Sequence, residues 1–217
     1  MKKYAGILCN EKFINIYTLS DVGDCRYDPL GENIYIPLDS DLHTIGDSVL
    51  KALSKSRDLS ISDEDRESFS GLCDTKGVFV ARQWIYERYP ERKLFDNELC
   101  DKRYHETIED MRVKYGYKTK SVLLKNMQML AISCDTENET NFKSWQHKNG
   151  DHWSGGDKKD PALEFSISSS SSVEVVGAAA KYAIGNCRGK GADLIRGILF
   201  PNGQPENFEE YLKELGL

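Results

Sequence analysis

Apolar and polar positions alternate from the first residues. An apolar run at Tyr4 to Leu8, a polar break at Asn10 to Lys12 and alternation from Phe13 to Leu19 predict a β-hairpin. A polar, acidic loop spans Ser20 to Glu32, Ile34 to Leu38 is a short strand, and a helix begins at Ser40. Its apolar positions Ile45, Val49, Ala52 and Leu53 lie on one face at helical spacing. Ser62-Asp63-Glu64-Asp65 reads as a cap followed by an acidic first turn, which suits a helix dipole. Val78 to Tyr89 fits strand or helix. Tyr104 to Lys114 is a helix ended by Gly116, Ser121 to Cys134 one long strand or two, and Asp135 to Thr140 a turn. Gly, Asp and Lys between Lys148 and Asp160 predict an exposed loop.

The strand and helix at Ile34 to Arg57 recur 131 residues later, at Phe165 to Arg188. Without a gap, five of 24 positions are identical: Ile36/Ile167, Ser40/Ser171, Gly46/Gly177, Ala52/Ala183 and Arg57/Arg188. The apolar helix positions coincide as well. A glycine inside a helix costs about 1 kcal/mol relative to alanine unless something must approach it closely. Its presence in both copies predicts that each helix packs tightly over its own strand. The expected fold is α/β (mixed α+β): an internal strand–helix pseudo-repeat with twisted, mainly antiparallel sheets covered by helices. One domain is expected, with halves at about 1–60 and 115–217 joined by a helical segment, 61–114.

The chain has 217 residues, long enough to bury a core without staples. Its six cysteines form no Cys-x-x-Cys pair, so no zinc site, no disulfide framework and a reducing compartment are expected. No apolar stretch reaches the roughly 18 residues of a membrane span, and Asn10 and Glu11 interrupt the run after Met1-Lys2-Lys3, so no secretory signal is read. A cytoplasmic location is expected. The net charge of −6 opposes phosphate binding and suits a cationic partner.

Catalytic chemistry finds little support. His147, Asp151 and His152 are too irregularly spaced for a metal motif, and no cofactor or metal is expected. Gly-Asn-Cys-Arg-Gly-Lys-Gly at 185–191 follows a helix instead of leading from a strand into one, and reads as a helix C-cap, not a phosphate loop. The chain is not expected to be an enzyme. Tyr115 to Lys125 interleaves two tyrosines with basic residues, so a module for single-stranded nucleic acid is the alternative reading. Acidic and aromatic residues concentrate elsewhere: Asp21, Asp24, Asp39 and Asp41 in the first half, Trp145, Asp151, Trp153 and Asp157 in the second. Exposed acids with tryptophan anchors suit a protein interface, and these eight are the candidate site residues.

Three segments carry a resemblance. They are Tyr115-Gly116-Tyr117-Lys118-Thr119-Lys120 with Leu123 to Met127; Trp153-Ser154-Gly155 with the following strand, serine loop and helix to Arg188; and Leu199-Phe200-Pro201-Asn202-Gly203 with Phe208 to Leu212. Together with Ala52 to Arg57 they resemble the immunity proteins of contact-dependent growth inhibition (CDI) systems. The resemblance implies a protein that binds and neutralises the C-terminal toxin domain of a large exoprotein by blocking its active site or substrate groove. It further implies a cationic partner, expected to be a nuclease, in a 1:1 heterodimer. Membranes and nucleic acids are not expected partners.

Overall fold

The computed structural model describes residues 2–135, 138–149, 152–154 and 163–217. The two opening runs form β1 (Lys2–Cys9) and β2 (Phe13–Asp21), paired antiparallel from Tyr4↔Leu19 to Cys9↔Ile14. Asn10 closes the turn: its N–H donates to the Phe13 carbonyl and its Oδ1 accepts from the Lys12 N–H. Two short strands, β3 (Cys25–Tyr27) and β4 (Asn33–Pro37), lie in line along the far edge of β2. Helix α1 (Leu42–Ser54) follows, with the Asp41 carboxylate accepting from the Thr44 N–H at 2.6 Å as its N-cap.

A helical segment comes next: α2 (Asp63–Lys76), α3 (Val78–Arg88), a 3-10 turn (Pro90–Phe95), α4 (Asn97–Lys114) and α5 (Lys120–Leu124). The ambiguous run at 78–89 is thus a helix. It is a sparsely buried one, holding only Ala81 and Ile85 inside. The stretch read as strand from Ser121 divides instead, because Thr119 caps α5 by accepting from Val122 N–H, and the strand begins only at Gln128.

The second half repeats the first: β5 (Gln128–Asp135), β6 (Glu139–Ser144), β9 (Glu164–Ser168) and α6 (Val173–Gly185). Between β6 and β9 come β7 (Gln146–Asn149) and β8 (His152–Ser154), so the segment expected as pure loop carries paired strand where it is described. After α6 come β10 (Arg188–Gly189), α7 (Ala192–Leu199) and α8 (Phe208–Leu215). The run at 185–191 does hold the C-cap of α6, but on Asn186 in right-handed conformation and not on a glycine. It carries β10 and turns into α7 at Gly191 (φ 82°), where an added Cβ would meet the Asn126 backbone at 2.5 Å.

The main sheet runs β3/β4–β2–β1–β5–β6–β9, antiparallel throughout, and β10–β7–β8 form a small second sheet. The 131-residue shift maps β4 onto β9 and α1 onto α6 at both ends, and the N-cap Asp41 onto the N-cap Ser172. Ala5, Ile7, Ile14, Ile16 and Ile36 from one half, and Leu130, Ile132, Phe142 and Ile167 from the other, face one side of the sheet, where α1 and α6 cover them.

The glycines have a different reason from the expected one. They pack helix against helix, not helix against its own strand. A Cβ on Gly46 would sit 1.9 Å from the Val173 carbonyl oxygen, and one on Gly177 would sit 1.9 Å from the Leu42 carbonyl oxygen. The helices cross with backbones in contact, and only hydrogen fits at the crossing. The same hydroxyl device locks each helix to its sheet: Thr18 Oγ1 donates to the Ala52 carbonyl at 2.9 Å, and Ser144 Oγ to the equivalent Ala183 carbonyl at 2.7 Å.

Candidate functional site

The outer side of the sheet differs between the halves. In the second half it presents Ser133, Asn141, Lys143, Glu164 and Ser166, none of them buried. In the first half it presents Leu8, Phe13, Tyr17, Leu19, Tyr27 and Tyr35, gathered with Ile108 and Met111 of α4 and Leu123 and Leu124 of α5 into a second core. Strand β2 is buried on both sides, and its near-continuous apolar run, Phe-Ile-Asn-Ile-Tyr-Thr-Leu, was the signal in the sequence for a second covered face.

The covering is incomplete. Helix α4 buries only Ile108 and Met111 in its C-terminal half, while Cys100, Arg103, Tyr104 and Thr107 are half-buried. Between this helix and the sheet lies a groove of about 520 Å³. That falls in the roughly 300–1,000 Å³ range of ligand pockets. Its sheet side is Leu8, Asn15, Tyr17, Leu19, Tyr27 and Met129, its helix side runs from Asn97 to Ile108, and Trp153 of β8 completes the lining. Tyr17 lies across Gly6, where a Cβ would come within 2.4 Å of the ring. Tyr27 tilts against it with centroids 5.8 Å apart. Trp153 stacks on His147 at 5.2 Å and donates its indole N–H to the Met127 carbonyl at 3.2 Å.

Two arginines enter the groove. Arg26 is committed: it pairs with Asp24 at 2.9 Å and donates to the Phe95 carbonyl and to Asn97. Arg103 donates one N–H to the Leu94 carbonyl and pairs with no carboxylate among the described residues. Burial raises the pKa of the Tyr27 hydroxyl, against the pull of the nearby Arg103 cation, so the phenol stays protonated at neutral pH.

The residues selected from the sequence do not gather at one place. Asp21 and Asp24 sit at one end of β2, Asp24 on the Arg26 that lines the groove. Asp39 and Asp41 lie beyond Pro37, which pairs with Phe13 at the other end, eight residues and about 26 Å away. Asp39 is exposed, and Asp41 is occupied as the α1 cap, its carboxyl held low by the Thr44 N–H. Asp28 of the same acidic loop is not on the surface at all. Its carboxylate is fully buried, bonded by Arg57 at 2.8 and 2.9 Å, by Ser20 Oγ at 2.6 Å and by Leu30 N–H at 2.9 Å. Trp145 joins β6 to β7, half-buried, its indole N–H enclosed with no partner among the described residues. Trp153 does line the groove. Asp151 and Asp157 lie outside the described residues. Tyr17, Tyr27, Arg103 and Tyr104 were not singled out from the sequence, because only the tertiary approach of α4 to β2 brings them together.

The basic, aromatic stretch at 115–125 is spent on packing. Tyr115 stacks on Phe13 at 4.2 Å; Tyr117 is buried and donates to Glu11 Oε1 at 2.9 Å. Lys114 lies over the Tyr35 ring and Lys12 over the Tyr117 ring, each at 4.4 Å. Neither tyrosine offers a free platform for a base. Among the described residues no cluster of three His, Cys, Asp or Glu could hold a metal, and no helix is long and apolar enough to cross a membrane.

Known proteins place this architecture. A family model described as CDI immunity protein matches residues 3–187, which include every residue lining the groove. The immunity protein CdiI-YPIII of Yersinia pseudotuberculosis serotype O:3 is 29% identical over 188 residues, 86% of this chain and 96% of that protein. Among solved structures, a Neisseria meningitidis protein of unknown function superposes with a TM-score of 0.65 and 26% identity, over 87% of this chain and 96% of that one. A chain from a CdiA-CT/CdiI toxin and immunity complex of Yersinia pseudotuberculosis gives 0.68 at 24% identity, over 87% and 98%, a likeness of fold. With the family model spanning most of its length, the chain belongs to the CDI immunity protein family.

Proposed function

We propose that this protein binds the toxin domain of a CDI exoprotein one-to-one in the cytoplasm and neutralises it by covering its active site or substrate groove. The observation that carries the reading is the half-covered, aromatic-walled groove between α4 and the sheet, in a chain of an immunity family. A structure of this fold occurs in a toxin and immunity complex, which supports a toxin as the occupant. Tyrosine, tryptophan and arginine are the side chains that dominate protein–protein binding energy, and the groove is built from them. The net charge of −6 suits a cationic nuclease, steered toward the groove by Asp21 and Asp24 beside it and by Asp39 and Asp41 over a longer range, with Asp151 and Asp157 adding to the acidic charge of the second half. Trp153 is the groove's anchor among the candidates. The chain acts as one domain, its halves at about 1–60 and 115–217 joined by segment 61–114.

Protection at low toxin numbers needs a nanomolar dissociation constant, about −12 kcal/mol. Co-expression with the toxin gene next to this one should restore growth and yield a stable complex. Trp153→Ala and Tyr27→Ala should each weaken binding by about 30-fold, the size of an interface hot spot. Unchanged affinity in both variants would remove the groove from the interface.

A further inference from the structure

Several donors that line the groove are unspent among the described residues, and they gather round one guanidinium. Arg103 uses one N–H on the Leu94 carbonyl, which ties the guanidinium to the 3-10 turn before α4 and leaves its other N–H groups unbonded among the described residues. The hydroxyls of Tyr17, Tyr27 and Thr107, which line the same space, donate to no described residue. Asn15 spends its amide N–H on Asn33 Oδ1 and the Ile34 carbonyl. Asp101 is the one carboxylate among the lining residues, and it is an exposed residue of α4. An excess of donors around one guanidinium, inside apolar and aromatic walls, is complementary to an anion that arrives with an apolar neighbour.

Resting on the groove as the toxin contact, we propose that it receives an aspartate or glutamate side chain of the toxin, carried in an otherwise apolar or aromatic segment, with Arg103 as its bidentate partner. The acidic rim at Asp21 and Asp24 then steers the basic bulk of the toxin, while the cationic interior accepts only a segment bearing a carboxylate. Opposite charge at rim and floor discriminates among toxins as an apolar groove alone would not.

The test is dissociation of the purified toxin domain from the purified protein, followed by surface plasmon resonance. Arg103→Gln should dissociate about 30-fold faster or more, the usual consequence of truncating one partner of a buried charge pair. Arg103→Lys, which keeps the charge but loses the fork, should recover part of that. Each toxin Asp and Glu is then changed to its amide, and in one of these variants Arg103→Gln should have no further effect. Thr107→Val, which breaks no described bond, should cost about fivefold and serves if Arg103→Gln proves unstable to heat. Wild-type kinetics for Arg103→Gln and Thr107→Val, or additivity of Arg103→Gln with every toxin carboxylate, would overturn the assignment. If Trp153→Ala and Tyr27→Ala weaken binding while the Arg103 variants do not, the carboxylate alone is wrong; if none of the four matters, the groove is.

Discussion

The two halves of the sheet are alike on the side that faces α1 and α6 and unlike on the other. Inside, equivalent positions do equivalent work: Gly46 and Gly177 let the helices touch, and Thr18 and Ser144 tie each helix to its strands. Outside, the first half carries tyrosines, leucines and a covering helix, and the second carries Ser133, Asn141, Glu164 and Ser166, none of them buried. The inner side is constrained by backbone contact and close packing, where a methyl group is too much. The outer side had no such constraint, and the half that became apolar there is the one with the groove. Symmetric positions should therefore respond alike to substitution, and asymmetric ones should not.

The largest asymmetry is at the equivalent arginines. Arg57 reaches the buried Asp28 and also Glu91 of the helical segment at 2.9 Å, whereas Arg188 is exposed on β10. Arg57→Met should destabilise by about 3 kcal/mol, because Asp28 is left charged and enclosed; Arg188→Met should cost less, because the exposed Arg188 leaves no buried carboxylate behind. Urea unfolding measures both. Burial alone would raise the Asp28 carboxyl, but Arg57, Ser20 and the Leu30 N–H outweigh it and hold it below 3.8. A carboxyl lowered in the folded state contributes stability that is present above its unfolded value, about 3.9, and is lost as pH falls through the folded one. Asp28→Asn should be less stable at neutral pH and should lose that acid-dependent step.

Symmetry makes the next expectation. Gly46→Ala and Gly177→Ala should each cost about 1–3 kcal/mol or more, and by similar amounts, since each added methyl meets a carbonyl oxygen of the opposite helix. Gly71 of α2 has nothing within 4 Å of an added Cβ, and Gly71→Ala should stabilise by about 0.5–1 kcal/mol. One substitution thus takes opposite signs in two helices. Equal and small effects at all three would mean that the helix crossing is looser than it is drawn.

These particulars show what the sequence made legible. The repeat, its offset and both helix faces followed from periodicity, because amphipathic pattern is local. The glycine pair was visible but its partner was not: a helix pattern records which face is apolar and says nothing of whether a strand or another helix lies against it. The aspartates were equally visible. Asp24, Asp28 and Asp41 are indistinguishable by type, and only the fold makes one an ion-pair partner at the surface, one a buried anchor and one a helix cap. The groove was least legible, since Tyr27 and Arg103 are 76 residues apart and meet only where α4 comes up to β3 at the edge of the sheet.

The smallest expected effect lies on the repeat itself. His43 and Glu174 are equivalent positions, 131 residues apart, and they bond each other across the helix crossing, Nδ1 to Oε1 at 2.9 Å. The Glu174 hydrogen bond raises the His43 ring above its ordinary value, aided by Asp47 and Asp41, and the same bond lowers Glu174. A histidine raised in the folded state adds stability that is whole below about pH 6.5 and is lost as pH rises through its folded value; a lowered glutamate adds stability that is lost as pH falls through its own. The pair therefore acts between these limits, in mildly acidic solution. Both groups are largely exposed, so the gain is small and screened by salt. NMR titration of the His43 ring should give a midpoint above 6.5 that drops toward it in Glu174→Gln, with a smaller drop in Asp47→Asn. A midpoint unmoved by Glu174→Gln would show that the two first turns do not meet in solution, and with that the symmetric crossing would lose its outermost contact.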